Sequence, residues 1–116
     1  MCGICGIISP KSITSGKDSV VRSMNQFIKH RGPDEDGFFN DDMCSLAMRR
    51  LSIIDLEGGQ QPMFNEERSI VAFMNGEIYN YQELKDDLFT KGHTFYSDSD
   101  TEVLPHLFEE YGTSMS

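Results

Sequence analysis

The chain has 116 residues, 38% of them hydrophobic, and its 19 acidic against 10 basic side chains give a formal net charge of -9. That length allows one domain with a modest core, and the acidic excess repels phosphate backbones and anionic lipid headgroups, so neither a nucleic-acid nor a membrane partner is expected. The first residues carry no basic segment, Gly3 and Gly6 interrupt their apolar stretch, and no other run approaches a membrane span, which predicts a cytoplasmic protein.

In chain order, residues 3 to 9 read as a strand whose glycines permit close backbone approach. A helix is expected over 18–30, with Val20, Val21, Met24, Phe27 and Ile28 turned to the core and Ser15 or Asp18 as its cap. The preceding Ser15-Gly16-Lys17-Asp18-Ser19 resembles a pyrophosphate-cradling loop but lacks one glycine of the pair that closes on phosphate, so a plain loop ending in a helix cap is expected. His30 to Gly37, with its two glycines and a proline, breaks the pattern before short strands around Phe38-Phe39, 45–54 and 69–74, separated by turn-rich segments such as 57–62. A second helix is expected over 81–91, with Leu84, Leu88 and Phe89 inward and Gly92 as its stop. A third follows a Ser99-x-x-Glu102 capping box, with Pro105 inside it removing a hydrogen bond at a cost of roughly 3 kcal/mol. Strands with helices between them give an α+β layer structure.

The chemistry starts at Cys2. Removal of Met1 exposes a residue with a thiol and a free α-amine, groups whose ordinary pKa values lie within about one unit of each other, so the amine can serve as the nucleophile's own base. With Met1 in place that nitrogen is an amide and the base is absent. An arbitrary cysteine at this position is more often inert, and the signal alone is weak. Cys2, Cys5 and Cys44 cannot all pair within one chain, so free thiols are expected. Cys2-Gly-Ile-Cys5 has CxxC spacing, but a redox pair opens a helix after a strand, and a zinc site needs a second ligand pair. Cys44, His30, His93 and His106 are scattered singly along the sequence, and no metal site is expected.

Four further segments join Cys2: Arg31-Gly32-Pro33-Asp34 after the first helix, Arg50 to Asp55 at a strand end, Asn75 to Asn80 after another, and Ser99-Asp100-x-Glu102. Singly they have plain readings: Asn-Gly is the commonest type I′ hairpin turn, an arginine at a strand end is usually solvated, and Asp100 suits a helix cap. Together, and with Gly59-x-Gln61-Pro62 and Glu109-Glu110-Tyr111-Gly112 between them, they closely resemble the class II, N-terminal-nucleophile glutamine amidotransferases. The branch is that of the glutamine-hydrolysing asparagine synthetases, and the resemblance covers essentially the whole chain.

That resemblance implies an αββα sandwich of the N-terminal-nucleophile hydrolase type, with antiparallel sheets, incomplete on its C-terminal side. Residues 1–116 would be part of a glutaminase domain, with the synthetase domain absent. It implies that Cys2 attacks the side-chain amide of L-glutamine and forms a thioester, which yields glutamate and ammonia for ATP-dependent amidation of aspartate to asparagine. The oxyanion hole falls on the Asn75 side chain and the Gly76 N–H; Arg50 matches the partner of the substrate α-carboxylate and Asp100 that of the α-ammonium, with Leu51, Ser52, Ile53, Ile54 and Glu77 lining the rest. No cofactor is expected in this chain, ATP and magnesium belonging to the missing synthetase domain, which as domain or subunit is the expected partner accepting ammonia. The competing expectation is a catalytically inactive fragment or a small glutamine-binding or regulatory protein.

Overall fold

The computed structural model describes residues 2–9, 16–51 and 60–115, which fall into two compact units divided after Ile54.

In the first unit, β1 (Gly3–Ile8), β2 (Glu35–Asn40) and β3 (Cys44–Arg50) form an antiparallel sheet in the order β1-β3-β2, with Gly3 opposite Arg49 and Gly37 opposite Met48. In the central β3, Ala47 and Met48, which alternate to opposite faces, are both buried, and helix α1 (Lys17–Phe27) packs against the strand. The α1 stripe differs from the one the apolar residues suggested. Lys17, Val21 and Asn25, spaced by four, are the buried face, whereas Val20 and Phe27 are 49% and 82% exposed. A lysine can sit on the inner face because its stem packs while its ammonium donates to Asn40 Oδ1 at 3.2 Å and to the Asp41 carbonyl.

The same bonds remove the phosphate-loop reading: the Lys17 ammonium is committed to the end of β2. Gly16, with φ of 92°, occupies the cap position with no side-chain cap. Asp18 pairs with Arg22 at 3.0 Å instead of capping, and Ser15 lies outside the described residues. Between β2 and β3, Asp41 Oδ1 accepts from the backbone N–H groups of Cys44 and Met43, each at 2.8 Å, which hold its carboxyl below the usual carboxylate range.

Gly32 is fixed by packing rather than by turn geometry. A Cβ there would lie 2.4 Å from the Arg49 carbonyl carbon and the Arg50 nitrogen, both backbone atoms of the central strand that cannot move aside. Gly32→Ala is therefore expected to destabilise the chain by about 1–3 kcal/mol, read as a lower urea midpoint at unchanged slope; an unchanged midpoint would show that the Arg31–Asp34 segment is not held against β3.

The second unit pairs β4 (Met63–Phe64) with β5 (Val71–Ala72) in an antiparallel hairpin; β4 is too short to have shown a period of its own. Helices α2 (Tyr81–Thr90) and α3 (Val103–Tyr111) pack on each other around Leu88, Val103 and Leu107, with Leu84 and Phe95 against them. Phe89 is 68% exposed, because it lies one helical step of about 100° away from the Leu84–Leu88 stripe. Gly92 stops α2 as expected, at φ of 96°, with His93 N–H donating to the Leu88 carbonyl at 3.1 Å.

Two expectations about the third helix need correction. Pro105 falls in the first turn of α3, where an N–H has no acceptor within the helix, so no α3 hydrogen bond is lost. The capping box is half formed: Ser99 Oγ accepts from Thr101 N–H at 3.2 Å, but Glu102 does not reach back. Its fully buried carboxylate accepts instead from Tyr96 N–H, Ser97 N–H and Ser97 Oγ at 2.9, 2.7 and 2.5 Å. The chain is α+β with antiparallel sheets, and no helix among the described residues is long and apolar enough to cross a membrane.

Candidate functional site

Cys2 and Arg50 occupy the same end of the β1–β3 ladder, immediately beyond the Gly3–Arg49 pair. The Arg31-Gly32-Pro33-Asp34 segment braces that end residue by residue. Arg31 Nε donates to the Cys2 carbonyl at 3.1 Å, the Gly32 carbonyl accepts from Arg49 Nε at 3.0 Å, and Asp34 N–H donates to the Arg50 carbonyl at 3.2 Å. Arg50 itself pairs through Nη1 with Glu35 Oε2 at 3.1 Å, the two side chains being only 18% and 15% exposed. It is thus a held guanidinium, not the solvated strand-end charge of the plain reading. Leu51, next in sequence, is exposed; Ser52, Ile53 and Ile54 lie outside the described residues.

All three cysteines are free thiols. Burial raises the Cys5 pKa, and burial together with the Asp41 carboxylate raises that of Cys44. Thiolate formation is disfavoured at both, which leaves them poor nucleophiles.

In the second unit, Asn75, Gly76 and Glu77 are exposed on the segment between β5 and α2. A type I′ turn needs positive φ at both central residues. Among the described residues positive φ occurs only at Gly16, Gly92, Gly112 and Arg68, so Asn75-Gly76 is not that turn. A Cβ on Gly76 would meet only Met74 Cγ, at 3.8 Å, so the approach to its backbone is open. Asp100 Oδ2 accepts from the Ile78 N–H at 2.8 Å, which ties the start of the Asp100–Glu102 turn to the Asn75–Ile78 segment. These residues, 22 apart at the bond, are brought together by the fold.

Gln61 completes that arrangement, and its sequence match had carried no assigned role. It precedes a cis peptide bond to Pro62. Its side-chain amide mimics a strand neighbour for Met74, accepting from Met74 N–H at 2.7 Å and donating to Met74 O at 3.1 Å. It also donates to Thr101 Oγ1 at 3.3 Å. One buried side chain thereby fixes the residue before Asn75 and the residue after Asp100.

Two of the histidines scattered along the sequence also meet. His93, after α2, and His106, on α3, approach to 3.2 Å between their Nδ1 atoms, beside Glu66 and Glu109. The sequence held half the signal in the His106-x-x-Glu109 spacing, which puts both residues on one face of a helix; the other half depends on tertiary packing.

A family model for the glutamine amidotransferase domain matches residues 1–116. The chain is 47% identical over 113 residues to asparagine synthetase [glutamine-hydrolyzing] 1 of Bacillus subtilis, a match covering 96% of this chain and 18% of that protein. It is 44% identical over 112 residues to asparagine synthetase [glutamine-hydrolyzing] 2 of Oryza sativa subsp. japonica, covering 97% and 19%. With the second B. subtilis asparagine synthetase [glutamine-hydrolyzing] it shares 46% over 114 residues, covering 97% and 15%. The chain thus spans less than a fifth of the length of these curated relatives. Matched by the family model from its first residue to its last, the chain belongs to the glutamine amidotransferase domain family.

Proposed function

We propose that this chain carries part of the glutaminase domain of a glutamine-hydrolysing asparagine synthetase, with Cys2 as nucleophile once Met1 is removed. In this reading the α-amine takes the thiol proton, the sulfur adds to the carboxamide carbon of L-glutamine, and the C–N bond breaks as the α-ammonium returns that proton to the departing nitrogen, which leaves as ammonia. Water then hydrolyses the thioester to glutamate. The oxyanion is received by the Asn75 amide and the Gly76 N–H. Arg50 and Asp100 pair the substrate's α-carboxylate and α-ammonium, with Leu51 to Ile54 and Glu77 along the substrate. The finer fold is an αββα sandwich of the N-terminal-nucleophile type, the partner a cytoplasmic synthetase domain or subunit that uses ammonia, ATP and magnesium to amidate aspartate.

The observation that carries this reading is the bracing of the Cys2 end of β1 by the Arg31–Asp34 segment, in a chain that matches the family along its whole length. A nucleophile needs its backbone fixed, and a clamp on the Cys2 carbonyl does that without engaging the thiol sulfur or the nitrogen itself.

Intact mass before and after exposure to a glutamine-mimicking diazoketone tests it. Loss of Met1 and a single adduct on Cys2 are expected. Retained Met1, or no adduct, would favour a glutamine-binding or inactive chain instead.

A further inference from the structure

We infer that Glu66, His93, His106 and Glu109 form a binding site for a divalent transition-metal ion of tetrahedral preference, zinc being the best fit, wholly within the second unit. Three candidate ligand atoms make a nearly equilateral triangle. His93 Nδ1 and His106 Nδ1 are 3.2 Å apart, and Glu66 Oε1 is 3.3 Å from each. A zinc ion with bonds of about 2.0–2.2 Å sets its tetrahedral ligands about 3.3–3.5 Å apart. Glu109 Oε2 stands 3.9 Å from His93 Nδ1 and, on a side chain 38% exposed, can close the fourth corner with a small rotation.

The far sides of the two rings face carboxylates. His93 Nε2 lies 2.7 Å from Glu110 Oε1, and His106 Nε2 faces the buried Glu102 Oε2 at 3.5 Å. An ionised carboxylate only accepts, so an Nε2–H on His93 bonded to Glu110 leaves the His93 Nδ1 lone pair turned toward Glu66 and His106, while the buried His106 Nε2 has no hydrogen-bond partner among the described residues and is free to carry that ring's proton when its Nδ1 binds an ion. Two ring nitrogens and a carboxylate oxygen thus face one another across about 3 Å, an arrangement held either by a proton on one Nδ1 or by a cation that bridges all three. The surroundings are those of a supported metal centre: a carboxylate behind each histidine, Thr94 N–H on Glu66 Oε1 at 2.7 Å, and the Asn65 amide on Glu109 Oε2 at 3.2 Å. An ion has a way in, because Glu66 also lines an open cleft of about 270 Å³ with Thr94, Phe95 and Tyr96.

The rival occupant is a proton, making one ring an imidazolium. The test titrates the metal-stripped 116-residue chain, its thiols blocked by alkylation, with cobalt(II) chloride and then zinc chloride. Expected are the intense visible bands of four-coordinate cobalt saturating at one equivalent, their loss on adding zinc, and a higher melting temperature with zinc. Glu110→Gln, which touches only the far side of His93, should weaken zinc binding about 10- to 100-fold, and Glu109→Gln at least as much, both with the circular dichroism of the unsubstituted chain. The weak spectrum of octahedral cobalt, affinity unchanged in either variant, or imidazole nitrogen resonances that show an imidazolium and do not respond to zinc would each overturn the assignment.

Discussion

Cys2→Ala is expected to abolish glutamate release while leaving glutamine binding nearly intact. A nucleophile and the base that serves it act as a unit, and deleting the attacking atom in such a unit costs on the order of 10⁶-fold in turnover. No other thiol can take over. Burial raises the pKa of Cys5, and burial with the Asp41 carboxylate that of Cys44, whereas the Cys2 carbonyl is held by Arg31 Nε at 3.1 Å. Glutamate release followed by a coupled dehydrogenase assay, with glutamine binding by calorimetry, separates the two effects. Undiminished turnover in the variant would remove Cys2 from the chemistry.

Arg50→Lys is expected to raise KM for glutamine by about 10- to 100-fold with a much smaller change in kcat. The reason is geometric: a guanidinium offers a carboxylate two parallel N–H donors, whereas an ammonium is a single point charge, and losing a charge-assisted hydrogen bond costs about 1.5–3 kcal/mol. Glu35 sharpens the expectation, since its 3.1 Å ion pair with Nη1 orients the planar group, and a lysine at 50 would be drawn toward that carboxylate. Steady-state kinetics against glutamine concentration decide it; an unaltered KM would take Arg50 out of the substrate site.

Much of the fold was legible because its signals are local. The β1 strand, the span of α2 and its stop at Gly92 follow from glycine placement and apolar spacing within a few residues of one another. The errors share a cause. Val20, Phe27 and Phe89 read as core because they are apolar and near the right phase, yet which face of a helix turns inward depends on the element packed against it. On α1 that face took Lys17 and Asn25, polar residues, one of them with bonds waiting at the end of β2. The plain turn reading of Asn75-Gly76 does not apply either: Gln61 and Asp100, from elsewhere in the chain, hold the flanking Met74 and Ile78 N–H groups, and neither Asn75 nor Gly76 has positive φ.

The candidate site divides along the same line. Sequence by itself determined the reactive groups, namely a cysteine next to the initiator, an arginine at a strand end and an Asn-Gly pair, because reactivity is a property of residue type and of neighbours along the chain. It also determined family membership, since the family model matches residues 1–116. Only the tertiary structure decided how those groups are held: that the Arg31–Asp34 segment braces the Cys2 end of the sheet, that Gln61 fixes the segment before Asn75, and that His93 and His106 converge with Glu66. Such convergence is a matter of distances across tens of residues, which side-chain chemistry alone does not encode and which only the packing of β4, β5, α2 and α3 supplies.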